Sequence, residues 1–187
     1  MSTLTAYRAG TACLGACLGA SLLALHSSRT ALRAATTDPV TKLPTRARWR
    51  TAAARTLHTH GGYVGMLDLR GFKTINDTHG HHIGDRLLAA IGTRLATALP
   101  GRSTCCRWGG DEFAVHTPIA LDWDRLLDDL AMPLHVTAGH ERLEFHIRAS
   151  LGIAEARPGT TIDELLHSAD DAMYGARLLR RDWSAAA

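Results

Sequence analysis

The sequence predicts an α+β domain in which helices pack on a sheet. Two patterns carry that reading. Some stretches repeat apolar residues at three- and four-residue spacing, as one face of a helix does, while others are short apolar runs bounded by turn residues, as buried strands are. The two kinds are mixed along the chain without the regular βα alternation that would build a parallel sheet.

Residues 46–58 read as a helix, and YVGMLDL at 63–69 is a short apolar run with Asp68 near its end, the form of a buried strand leading to a site. After a loop, Leu88, Ile91, Leu95 and Leu99 mark one helix face, which Pro100 stops. Residues 105–108 and 112–116 then predict two short strands around Gly109 and Gly110, a hairpin. Residues 122–130 predict a helix, and 134–137 and 143–154 two strands joined through Ala138, Gly139 and His140. Thr161 and Glu164 have capping-box spacing and open a helix with Ile162, Leu165, Ala169, Ala172, Met173 and Ala176 on one side.

The 187 residues allow one domain of ordinary size plus a short appendage. The net charge of +3 comes from scattered cations rather than a basic stripe, which argues against polymeric nucleic acid as a partner. Cys13 and Cys17, and the neighbours Cys105 and Cys106, form neither a disulfide framework nor a zinc spacing. Residues 9–25 carry no charge and read as a short transmembrane helix; a cleaved signal peptide or a soluble helix fits the same run. Arg8 precedes it and Arg29, Arg33, Lys42 and Arg46 follow, so the positive-inside rule puts the remainder in the cytoplasm. The expected division is an apolar helix and connector at 1–37 and a globular domain at 38–187, on a single-pass inner or plasma membrane protein.

Three carboxylates invite chemistry: Asp68 at a strand end, and Asp111 and Glu112 directly after two glycines. Carboxylates held close together repel unless cations lie between them, and paired Mg²⁺ ions are the usual arrangement for phosphoryl transfer. A glycine pair also lets a phosphate or base approach the backbone. A plain turn with solvated acidic residues fits the same residues.

Gly109 to Phe113 spell GGDEF, and the flanking sequence extends the match. DLRGFKTINDTHGHHIGD, Asp68 to Asp85, is similar to DxDxFKxINDxxGHxxGD, and DPVTKLPTR, Asp38 to Arg46, to DxLTGLxNR. ASLGIA and ADDAMYGARLLRR stand where SxGxA and ADxALYxAKxxGR follow. In this order over residues 38–181, the motifs resemble the GGDEF diguanylate cyclases. The resemblance implies a nucleotide-cyclase palm-like domain, with a central, mainly antiparallel sheet flanked by helices. It implies condensation of two GTP into cyclic di-GMP by a homodimer, with one GTP bound per domain.

By the same resemblance, Asp68, the Leu69 carbonyl, Asp111 and Glu112 would hold two Mg²⁺, with Mn²⁺ a possible substitute, and Asp111 and Glu112 are the catalytic pair. Asn76 and Asp85 would read guanine, whose N1–H and amine a carboxylate can accept. Phe72, Lys73, Gly109 and Gly110 would line the nucleotide. Arg177 and Arg181, four apart on one helix, would clamp the β- and γ-phosphates. The alternative is a degenerate domain that binds GTP or cyclic di-GMP and regulates a partner. His79, His81 and His82 read as structural or exposed. The chain departs from the family pattern at Lys42 and Arg180, where glycines are usual, at Arg70, where the second Asp of DxD is usual, and at Arg177, where Lys is usual.

Overall fold

The computed structural model of the protein describes residues 36–139 and 141–184, with 176–184 given by backbone alone. The apolar run at 9–25, Cys13, Cys17 and His140 lie outside the described residues. Among the described residues no helix is long and apolar enough to cross a membrane.

YVGMLDL forms β1 (Tyr63–Leu69), buried from Val64 to its end. It runs in the interior of a four-stranded sheet of order β2–β3–β1–β6, comprising β2 (Thr104–Gly109), β3 (Glu112–Thr117) and β6 (Ala149–Glu155). Every pairing is antiparallel, as expected. Apart from Asp68 near its end, β1 does not alternate apolar with polar residues, because both faces are covered. On one face Leu67, Leu69, Phe113 and Val115 join a core built on α3 (His81–Ala98) and α4 (Trp123–Ala131). On the other, Val64, Met66 and Ala114 join Trp49, Ala53 and Leu57 of α1 (Arg46–His60) and Leu165, Ala169 and Met173 of α5 (Ile162–Ser184). The capping box at the start of α5 is formed: Thr161 N–H donates to Glu164 Oε2 at 2.8 Å, and Glu164 N–H to Thr161 Oγ1 at 3.3 Å.

Four local expectations need correction. The stretch read as a loop before Leu88 is helical, α2 (Phe72–His79) followed by the start of α3, with Gly80 at φ +81° between them. Its polar sequence, FKTINDTH, buries only Phe72 and so shows no apolar period. Leu99 lies one residue beyond α3, in extended backbone, as a residue before proline prefers. The strand expected at 143–154 is two: β5 (Glu141–Phe145) pairs with β4 (Leu134–Ala138) in a separate hairpin, and β6 pairs with β1. Ile147 is buried between them, so inward alternation runs through the break and hides it. On α5, Ala172 is exposed, whereas Leu166 is buried.

Close approaches fix how the layers meet. A Cβ on Gly152 of β6 would lie 2.0 Å from the Ala169 carbonyl oxygen, so α5 can seat on the sheet only over glycine. Gly65 does the same for Trp123, whose ring a Cβ would meet at 2.8 Å. In the turn before α1, Lys42 stands at φ +61°, where the family pattern has glycine. The turn keeps its shape regardless: Lys42 N–H donates to the Asp38 carbonyl at 3.0 Å, and Asp38 Oδ1 accepts from Thr41 N–H and Oγ1, each at 2.7 Å. A side chain in this backbone region costs about 1–2 kcal/mol.

His116 of β3 is fully buried, and neither ring nitrogen makes a full hydrogen bond. Burial holds its imidazole below the ordinary histidine range, and a backbone contact with Gly61 offsets part of that. The unfolded chain therefore takes up a proton near pH ~6.5, where the folded chain does not. The resulting stability is fully present above that pH and is lost as the pH falls toward the folded-state value. Urea unfolding midpoints are expected to drop between about pH 7.5 and 5, more steeply in the parent than in His116→Leu. Parallel pH profiles in the two proteins would refute this role.

Candidate active site

The site lies where β1 and the β2–β3 hairpin end together. Gly109 pairs with Glu112, and the chain turns through Gly110, at φ +54°, and Asp111. Leu69 N–H donates to the Asp111 carbonyl at 3.2 Å, which fixes the turn against the end of β1. Asp68 faces Glu112 on β3 and Ser150 on β6 in register, so the three side chains form a row on one sheet face. Asp68 and Ser150 are buried, and Glu112 is half-buried.

On the opposite face, α2, α3 and the hairpin enclose a cavity of about 400 Å³. Phe72, Lys73, Asn76, Asp85, Gly110 and Asp111 line it, so six of the residues singled out in the sequence meet around one space. Asp68, Leu69 and Glu112 do not line it. Glu112 instead borders a cavity of about 260 Å³ beside Trp108, Leu166 and Asp170. The acidic residues are thus divided between two faces, with the Gly110–Asp111 turn at the sheet end between them. Gly109 is exposed at the end of β2. Arg177 and Arg181 are placed on α5 by backbone only. A larger cavity of about 770 Å³ lies by Gly61 and the start of α5, and no carboxylate lines it.

The Asn76 side chain is held by the shape of α3. Its Oδ1 is buried without a hydrogen-bond partner, and a Cβ on Gly84 would lie 1.9 Å from that oxygen. A buried amide oxygen with no protein donor suits a ligand donor. Four lining residues, Asp77, His81, Leu88 and Arg107, lie outside the site read from the sequence. His81, taken as structural or exposed, is exposed and lines the cavity, and its spacing of four from Asp85 on one helix was the available signal. Arg107 lines it too, because a bulge at Trp108 leaves Arg107 opposite Phe113. Its Nε donates to the Gly110 carbonyl at 2.8 Å, and its Nη1 lies 3.9 Å from Asp38 Oδ2. Arg107 so braces the glycine turn against the turn before α1.

Asp68, Asp111, Glu112 and the Leu69 carbonyl offer only hard oxygen donors, the chemistry Mg²⁺ takes. Among the described residues no three His, Cys, Asp or Glu side chains form a ready metal cluster. Mg²⁺ is commonly held by one or two carboxylates and completed by water and substrate phosphates. The Cys105 and Cys106 thiols are buried and pushed up to about 12, so neither is a ready nucleophile or ligand.

A family profile described as "Diguanylate cyclase, GGDEF domain" matches residues 35–182. The chain is 38% identical over 161 residues to the "Uncharacterized 19.3 kDa protein in repSA 5'region" of Streptomyces ambofaciens, a match covering 82% of this chain and 86% of that one. It is 33% identical over 164 residues to the bifunctional diguanylate cyclase/cyclic di-GMP phosphodiesterase MucR of Pseudomonas aeruginosa, covering 81% of this chain but only 23% of MucR. The fold is similar to the GGDEF domain of DgcB from Caulobacter crescentus, solved in complex with c-di-GMP, at a TM-score of 0.68 and 26% identity over 76% of this chain and 88% of that one. It is also similar to the diguanylate cyclase SiaD of Pseudomonas aeruginosa, solved with its activator SiaC, at a TM-score of 0.65 and 31% identity over 94% and 72% of the two chains.

The Gly84–Asn76 contact can be tested directly. Alanine favours helix over glycine by about 1 kcal/mol, so Gly84→Ala should keep the fold while displacing the Asn76 side chain. Calorimetry is expected to show a melting temperature no lower than the parent's and GTP affinity reduced ~3- to 10-fold, the worth of one hydrogen bond. Unchanged affinity would mean that Asn76 does not meet the ligand.

Proposed function

Since the chain belongs to the family of GGDEF diguanylate cyclase domains, we propose that it condenses two GTP into cyclic di-GMP, releasing two pyrophosphates. The observation that carries this reading is the position of Asp111, on a turn that borders the cavity of Asn76 and Asp85 and adjoins the end of the strand bearing Asp68. A nucleotide with its base in the cavity has its phosphates directed past this turn, toward the carboxylate row.

In this reading Asp85 accepts from guanine N1–H and the exocyclic amine, and Asn76 takes a further donor on Oδ1. Adenine does not offer that donor pair, so GTP is selected over ATP. Phe72 closes the apolar side of the cavity, and Gly109 and Gly110 leave the hairpin open to close approach. Lys73, Arg177 and Arg181 bind the phosphates. Asp68, the Leu69 carbonyl, Asp111 and Glu112 hold two Mg²⁺, for which Mn²⁺ can substitute. Bound there, the metal supplies neutralisation of triphosphate charge and a lowered pKa for the ribose hydroxyl. Asp111 takes the proton of one GTP's 3′-hydroxyl as its oxygen bonds to the α-phosphorus of the other. The bond from that phosphorus to pyrophosphate breaks in line. Each domain holds one GTP, so two copies must face one another for both bonds to form.

The assay is the full chain with Mg²⁺ and either GTP or ATP, with mass analysis of the products. Cyclic di-GMP from GTP alone is expected, and Asp111→Ala should lower its formation at least ~10²-fold with the fold intact. GTP binding without product would favour a regulatory binding domain instead.

We further propose that residues 9–25 anchor the protein in the inner or plasma membrane, with the catalytic domain on the cytoplasmic side. The uncharged run and the cations that follow it support this. Confinement of copies to one membrane plane would raise their encounter rate. A reporter fused after Ala187 is expected inside the cell, and detection outside would overturn the orientation.

A further inference from the structure

Arg70 stands two residues after Asp68, where the motif DxD would place a second acid. Its backbone N–H donates to the Arg148 carbonyl at 2.8 Å, continuing the β1–β6 pairing by one residue. Its Nε donates to Ser150 Oγ at 3.0 Å. Ser150 is 3% exposed and lies directly across from Asp68. The guanidinium therefore takes the next place in the row Glu112–Asp68–Ser150, on the same sheet face.

The side chain is half-buried and fixed at both its backbone and its Nε, so it is not a freely solvated arginine. Among the described residues it pairs with no carboxylate, and its terminal nitrogens have no protein acceptor. Guanidinium carries five N–H donors in a planar fork, of which Ser150 uses one. A partly desolvated cation with its fork unpaired is an incomplete arrangement, and a phosphate, accepting two parallel N–H bonds, completes it.

We propose that Arg70 is a phosphate-binding residue of this site, held by Ser150 beside the carboxylate row so that its guanidinium takes a phosphoryl group of bound GTP. This rests on the GTP-binding reading above. A purely structural role, in which Arg70 only ties the end of β1 to β6, is the competing account. The two accounts part on ligand and on substitution. Phosphate binding needs the charge, which lysine keeps as a point charge, whereas the tie to Ser150 needs the Nε geometry, which lysine lacks.

The test measures binding of 3′-deoxy-GTP with Mg²⁺ by calorimetry, since a nucleotide without the 3′-hydroxyl cannot react. The full chain is compared with Arg70→Gln and Arg70→Lys, and 3′-deoxyguanosine, measured by competition, serves as the phosphate-free probe. Arg70→Gln is expected to weaken 3′-deoxy-GTP binding at least ~10-fold, as loss of a charge-assisted hydrogen bond does. Its affinity for 3′-deoxyguanosine should stay within ~2-fold of the parent's, and Arg70→Lys should recover part of the lost nucleotide affinity, keeping the charge but not the paired N–H donors. Equal binding of 3′-deoxy-GTP by parent and Arg70→Gln overturns the proposal, as does an equal loss for both ligands or a lysine variant no better than glutamine. A parent chain that binds neither ligand would remove the GTP-binding reading, and this inference with it.

Discussion

β1 exchanges backbone hydrogen bonds with β3 on one side and β6 on the other, and an apolar core covers each of its faces. A strand constrained in four directions cannot slip, because a shift of one residue would turn its core residues to the wrong face. Asp68 inherits that rigidity. Its register opposite Glu112 and Ser150 is set by the apolar residues of β1 behind it. The Leu69–Asp111 hydrogen bond carries the same constraint to the hairpin turn. Carboxylates gathered at one end of a sheet repel one another, and burial energy elsewhere in the sheet keeps them in place.

The two faces of the sheet do different work. The α2–α3 face carries a cavity lined by an amide oxygen lacking a donor, on Asn76, and by carboxylates that include Asp85 and Asp111. The α5 face carries the Asp68–Glu112 row. Only the strand ends join them, at the glycine turn, where a Cβ on Gly109 or Gly110 would meet nothing within 4 Å. Arg107 steadies that turn through the Gly110 carbonyl and reaches toward Asp38, whose own carboxylate organises the turn before α1. The turn before α1 is thereby tied to the β2–β3 hairpin by a short chain of polar contacts.

Glycine appears where the layers must approach closely. Gly152 lets the α5 backbone seat on β6, Gly65 receives the Trp123 ring, and Gly84 admits the Asn76 side chain. Each removes a Cβ at a contact that a methyl group would block. Lys42 is the opposite case, a side chain accepted at φ +61° because the Asp38–Thr41 bonds hold the turn without glycine.

Much of this was legible in the sequence. β1 and the hairpin followed from apolar runs and turn residues, the α5 start from Thr161 and Glu164, and six residues that line the α2–α3 cavity from a run of motifs in family order. α2 was not legible, because a helix that buries one side chain leaves no apolar period. Nor was the break between β5 and β6, since Ile147 keeps the inward alternation going while the backbone changes partners. The sequence by itself determined which residues carry acid, amide and cation, because those are properties of single side chains and of short local patterns. Only the tertiary structure decided that Asp68 and Glu112 lie on one face and the Asn76–Asp85 cavity on the other, that Arg107 braces the turn, and that Arg70 reaches Ser150. Strand order and register are set by contacts between residues far apart in the chain, and local spacing holds no record of them.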